Sequence, residues 1–130
     1  TIAAPGTSPH VVTVGAMNTV GTAAKTDDKI ATYSSKGPTS IDHIVKPDIV
    51  APGTGTRSAT NSGDANYTTA SGTSMAGPHV VGVVALLWQA VPSLNRDIAA
   101  TKARLNGTAN PNITPNSNCA SSTVRVTKPT

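Results

Sequence analysis

The sequence predicts an α/β protein. Three short, apolar, strand-length runs precede one long apolar segment of helical length. Clusters of Gly, Pro, Asn and Ser separate them. The first run, Val11-Val12-Thr13-Val14-Gly15-Ala16, lies between Pro9 and Asn18 and reads as a buried strand. Residues 18–29 are polar and contain Gly21, as expected of a loop. Ile30-Ala31-Thr32-Tyr33 is the second strand, ended by Ser34-Ser35-Lys36-Gly37-Pro38. Ile49-Val50-Ala51 is the third, stopped by Pro52-Gly53. Residues 56–60 and 67–70 flank Asn61-Ser62-Gly63-Asp64, which predicts a hairpin.

The long helix is predicted to begin at Thr73 or Ser74. Nearly every position from Val80 to Leu87 is apolar, the pattern of a helix buried on all sides. Gly77 and Gly82 cost helix propensity, so close packing against neighbouring backbone is expected there. Pro78 falls in or just after the first turn, where its missing N–H is tolerated best. Ser93 is expected to cap a second helix running to about Leu105, with Gly107 as its stop. Residues 1–109 then form the folded part. Residues 110–130 form a polar C-terminal extension in which Val124 and Val126 could make a last short strand.

Composition narrows the function classes. Charged residues are 12% of the 130, aromatics 2%, and Phe is absent. The core must therefore come from Val, Ile, Leu and Ala, and it is thin, because large aromatics normally supply much of the burial. With Thr1 in place of an initiating Met, this points to a processed, nicked or truncated product that packs against further chain. The net charge is +4, but the ten Lys and Arg residues are scattered and no aromatics interleave them, which argues against a nucleic-acid groove. The longest apolar stretch, residues 80–87, is far short of a membrane span, and no signal peptide is evident. The single Cys119 cannot form an internal disulfide. It either pairs outside this chain or is a free thiol.

The chemistry concentrates at Gly72-Thr73-Ser74-Met75-Ala76-Gly77-Pro78-His79-Val80. A serine at a glycine turn that opens a helix aims its hydroxyl outward. Its own N–H is one of the unpaired donors of the helix N-terminus and can hold an oxyanion. Thr73 or Ser74 would also serve as an ordinary N-cap. A serine needs a base, usually His, oriented by a carboxylate. His79 lies five residues on, about 140° round the helix axis, and so faces away from Ser74. A structural role bonded to backbone or another side chain is expected for it. His10 and His43 show no spacing that links them to Ser74, and none of the six Asp residues pairs with a His motif. The residues alone therefore supply a nucleophile without its base.

The box resembles the active-site serine segment of the subtilisin-like serine proteases, the subtilases. Gly77 and Val81 depart from the usual small residues of that segment. Three further segments resemble the family in order: Val11 to Ala16, Tyr33-Ser34-Ser35-Lys36-Gly37-Pro38, and Lys46-Pro47-Asp48-Ile49-Val50-Ala51-Pro52-Gly53. The resemblance implies a three-layer α/β/α fold with a mostly parallel sheet, of which this chain is the C-terminal portion. It implies a serine endopeptidase acting through an acyl-enzyme on Ser74, with the Ser74 N–H as oxyanion donor and Thr73 in support. The triad Asp and His and an oxyanion Asn would come from an N-terminal segment absent here, so this chain alone would be inactive or nearly so. Ile2, Ala3 and Ala4 would fall near the base of the pocket for the residue before the scissile bond. No cofactor is required. A structural calcium near residues 5–8 and Asp48 is an expectation of the resemblance, as is a secreted or extracytoplasmic location. Partners would be protein or peptide substrates, not nucleic acid or membrane.

Two rival readings compete with the peptidase. One is a non-catalytic relative that keeps the fold for binding. The other is an esterase-like hydrolase, since G-x-S-x-A is close to the nucleophile elbow. That fold places its acid and His after the serine, and here no His follows His79. Asn66, Asn106 and Asn112 each begin an N-x-T triplet, the acceptor pattern for glycosylation in a eukaryotic secretory source.

Overall fold

The computed structural model describes residues 1–23, 26–110 and 113. Its element order is β1 (Val14–Asn18), β2 (Lys29–Ile30), β3 (Ile49–Pro52), β4 (Thr56–Ala59), β5 (Tyr67–Ala70), α1 (Thr73–Ala90), a 3-10 turn (Pro92–Leu94) and α2 (Ile98–Thr108). A three-stranded sheet has the order β2-β1-β3. β1 and β3 are parallel, with Val14 opposite Ile49 and Met17 opposite Pro52. β2 adds a two-residue antiparallel contact at Met17 and Asn18. β4 and β5 form a separate antiparallel ribbon, as the hairpin signal predicts, with the Arg57 guanidinium 4.3 Å from the Tyr67 ring centroid.

The β1 strand starts three residues later than its β-branched run predicts. Residues 11–13 satisfy their backbone elsewhere. The Val11 carbonyl accepts from Lys46 Nζ, and the Thr13 N–H donates to Asp48 Oδ2. The second strand is likewise shorter. A turn closes at Ala31, whose carbonyl accepts from the Ser34 N–H at 3.0 Å. That turn brings the buried Ser34 hydroxyl to the Ala16 N–H at 3.0 Å, where a side chain takes the place of a strand partner.

Ala16, Ala31, Ala51, Ala76, Val80 and Leu105 form the core, with Val14, Ile49 and Val84 packed against it. Small side chains let α1 approach the β1–β3 pair closely. Its other side is open: Val81 is 68% exposed and Leu86 67%. The apolar run that predicts an all-round buried helix thus has one face covered by the described residues. Gly77 and Gly82 also have no neighbouring atom within 4 Å of a built Cβ, so the close packing expected there is absent among these residues. Ser93 lies in the 3-10 turn, and Asp97 caps α2 instead, accepting from the Ala100 N–H at 2.9 Å. Gly107 continues the helix to Thr108. Trp88 ties the two helices, its indole N–H donating to the buried Thr101 hydroxyl at 2.9 Å. Cys119, Asn112, Val124 and Val126 lie outside the described residues.

Candidate active site

Ser74 is the second residue of α1, exposed, at the end of the sheet where β3 leaves Pro52. Gly53 fixes this junction. Its N–H donates to the Met17 carbonyl at 3.0 Å, and its own carbonyl accepts from the Gly72 N–H at 2.8 Å. A Cβ on Gly53 would stand 2.7 Å from Ala16 Cβ and 2.8 Å from the Gly72 carbonyl, so no larger residue fits without moving the helix. Gly72 is the N-cap, and its carbonyl accepts from the N–H groups of Met75 and Ala76. No side chain caps the helix, so neither Thr73 nor Ser74 takes the ordinary N-cap role. Among the described residues, neither the hydroxyl nor the N–H of Ser74 bonds to another group. Both face outward from a helix N-terminus, where the dipole favours negative charge. The Thr73 hydroxyl has no bond among these residues either.

His79 turns back on its own helix. Its Nδ1 lies 2.9 Å from the Met75 carbonyl. A carbonyl only accepts, so Nδ1 carries the proton. This is the structural role expected from its position round the helix. His10 and His43 are both exposed, and neither ring bonds to Ser74. Asp97, the only acid after the serine, is engaged as the α2 cap. Missed in the sequence reading were Tyr33 and Ser71. The Tyr33 hydroxyl donates to the Gly53 carbonyl at 2.8 Å, and the Ser71 hydroxyl accepts from the Gly55 N–H at 2.9 Å. The Y-S-S and P-G segments were visible, but nothing local tells that they meet.

The Subtilase family profile matches residues 1–123. This chain belongs to the subtilase family. Among similar proteins, Serine protease AprX of Bacillus subtilis (strain 168) is 41% identical over 109 residues, covering 75% of this chain and 24% of that protein. Subtilisin-like protease SBT3.2 of Arabidopsis thaliana is 52% identical over 64 residues, covering 45% of this chain and 9% of that protein. PII-type proteinase of Lacticaseibacillus paracasei is 44% identical over 84 residues, covering 65% and 4%. In three dimensions Sphericase superposes with a TM-score of 0.64 at 34% identity, over 81% of this chain and 34% of that one. The α/β class follows from this likeness as well as from the elements. The subtilase chain described here spans less than a quarter of each of these curated relatives.

The remaining candidate residues of this subtilase are Ile2, Ala3, Ala4 and Asp48. Ile2 is buried, and Ala3 and Ala4 are exposed. A Cβ built on Gly6 meets the side chains of both Ile2 and Thr13, which places Ile2 toward the Thr13 end of β1.

Asp48 is fully occupied without a metal. Its Oδ2 accepts from Lys46 Nζ at 2.7 Å and from the Thr13 N–H at 2.7 Å, and its Oδ1 accepts from Lys102 Nζ at 2.8 Å. The Lys46 side chain is 1% exposed. Partial burial raises the Asp48 pKa, but the bonds from Lys102, Lys46 and Thr13 outweigh it and hold the carboxyl below its ordinary value. This donor set does not fit calcium, because a divalent ion would meet two ammonium groups where it needs oxygen ligands. Asn106 also sits within α2 rather than in a surface loop, so its N-x-T triplet is helical.

Proposed function

We propose that this chain is the nucleophile-bearing part of a serine endopeptidase. The observation that carries this reading is the Ser74 hydroxyl beside its own N–H at the exposed start of α1, both without a partner among the described residues. Ser74 attacks the peptide carbonyl, and the Ser74 N–H stabilises the tetrahedral oxyanion. The triad His takes the Ser74 proton and gives it to the departing amine; it then takes a proton from the water that hydrolyses the acyl-enzyme and returns it to Ser74. A triad His and Asp and an oxyanion Asn come from the N-terminal part of the same protease.

Two features support that partner. The apolar α1 side chains Val81, Val83 and Leu86 are exposed, and β3 is a sheet edge among the described residues. A groove of about 280 Å³ runs between them, lined by Val50, Pro52, Val80, Val83 and their neighbours. Ile2, Ala3 and Ala4 would lie near the base of the substrate pocket, with Thr73 supporting the oxyanion. The substrates are proteins or peptides, and the location is outside the cytoplasm, as in a cell-envelope or secreted protease. Among the described residues no helix is long and apolar enough to cross a membrane.

A fluorophosphonate probe tests this reading. It phosphonylates an activated serine and releases fluoride. With the N-terminal part present, the adduct should map to Ser74 and vanish in Ser74→Ala. The isolated chain should label far more slowly, since loss of one oxyanion donor alone costs about 10²–10³ in turnover. No adduct at Ser74 in the whole protein would overturn the peptidase reading. Equal labelling of the isolated chain would show that the base lies within it.

A further inference from the structure

The turn at Gly53–Gly55 is bonded to the pre-nucleophile segment at two points. The Gly53 carbonyl accepts from the Gly72 N–H at 2.8 Å, and the Gly55 N–H donates to the Ser71 hydroxyl at 2.9 Å. A further tether on the turn comes from a side chain distant in sequence. The Tyr33 hydroxyl donates to the same Gly53 carbonyl at 2.8 Å and stands 2.8 Å from the Thr54 hydroxyl. Since the Tyr33 proton is used on Gly53, the Thr54 hydroxyl is the donor of that second bond.

This arrangement is unusual for an exposed tyrosine. The Tyr33 residue is 47% exposed and could leave its hydroxyl in water. It instead turns the hydroxyl onto the one carbonyl that holds Gly72. Gly72 in turn anchors the first turn of α1 through its bonds to Met75 and Ala76. Gly53 has no side chain of its own to steady the turn and cannot acquire one, because Ala16 and the Gly72 carbonyl fill that space.

We propose that Tyr33 is a positioning residue for Ser74, acting through Gly53 and Gly72 rather than on the substrate. The inference rests on Ser74 being the nucleophile. Its phenolic hydroxyl holds the Gly53 carbonyl in the direction that receives Gly72, and so sets where the Ser74 hydroxyl and N–H point. Small displacements of a nucleophile are costly, with about 10²-fold lost for an ångström. Loss of one of three tethers should cost less.

The test is Tyr33→Phe in the whole protease, which keeps the ring and removes only the hydroxyl. Two readouts are taken: kcat and KM on a chromogenic peptide amide, and amide hydrogen exchange at Gly72 and Met75. The proposal expects kcat to fall about tenfold with KM unchanged. It also expects faster exchange at Gly72 and Met75 with exchange at the Trp88 end of α1 unaltered. A change in KM alone would make Tyr33 a substrate contact and overturn the proposal. Faster exchange throughout α1 would make it a general packing residue, with the same consequence. Unchanged kcat and exchange would remove any role. If the wild-type protease fails to label at Ser74, the peptidase reading falls, while the exchange measurement still decides whether Tyr33 positions the helix start.

Discussion

Replacing Lys46 by methionine removes an ammonium from the interior while keeping most of the stem volume. Lys46 Nζ makes two bonds, to the Val11 carbonyl at 2.9 Å and to Asp48 Oδ2 at 2.7 Å. Breaking a buried ion pair from one side costs about 3–5 kcal/mol, because a charge is left behind in low dielectric. Here Asp48 is not abandoned, since Lys102 and the Thr13 N–H remain on it. The Val11 carbonyl does lose its donor. The expected loss therefore falls below that range, at about 2–3 kcal/mol. For a chain of this size that lowers Tm by roughly 6–12 °C. Thermal unfolding followed by far-UV circular dichroism, at neutral pH and low salt, measures it. The Asp48→Leu change should cost more, as it leaves the Lys46 ammonium buried with a single carbonyl. The double change Lys46→Met with Asp48→Leu should recover much of the loss, because a matched apolar pair carries no stranded charge. A Tm within a degree or two of the parent for Lys46→Met would refute the reasoning, since it would mean the ammonium is solvated. So would a Tm for the parent that rises with millimolar calcium and loses that rise in Asp48→Asn.

Other outcomes follow from the same structure. Asp48 has a folded pKa below its ordinary 3.8. A depressed carboxylate contributes stability that is present above 3.8 and is lost as pH falls through the folded value. Acid titration of Tm should therefore show a loss beginning below about 4 that is smaller in Asp48→Asn. Gly53→Ala forces a Cβ to 2.7 Å from Ala16 and 2.8 Å from the Gly72 carbonyl. It should cost about 1–3 kcal/mol and slow Ser74 labelling in the whole protease, and a variant as stable and as reactive as the parent would contradict the close approach. Thr101→Val strips the acceptor from the Trp88 indole N–H, for an expected loss of about 1–3 kcal/mol. Denaturant unfolding with Trp88 fluorescence reads it directly.

The sequence determined by itself those features whose physics is local. A glycine before Thr73-Ser74 and a long apolar run after it are enough to open a helix at Ser74. Five residues of helix are enough to turn His79 away from it. The Asn61-Ser62-Gly63-Asp64 turn likewise determines the β4–β5 ribbon. What failed locally did so where distant groups compete for the same backbone. Val11 and Thr13 look like strand residues, yet their polar groups go to Lys46 and Asp48, thirty-five residues away, so β1 starts at Val14. Ser93 is a good cap in isolation, but the 3-10 turn consumes it and Asp97 caps α2. Lys102 reaches the Asp48 carboxylate only through the fold. Tyr33 reads as the end of a strand until the turn at Gly53 receives its hydroxyl. The candidate nucleophile, Ser74 at the start of a helix, is therefore legible in nine residues. The groups that hold it in place were decided only by tertiary structure, because hydrogen-bond partners are chosen by distance in space and not by distance along the chain.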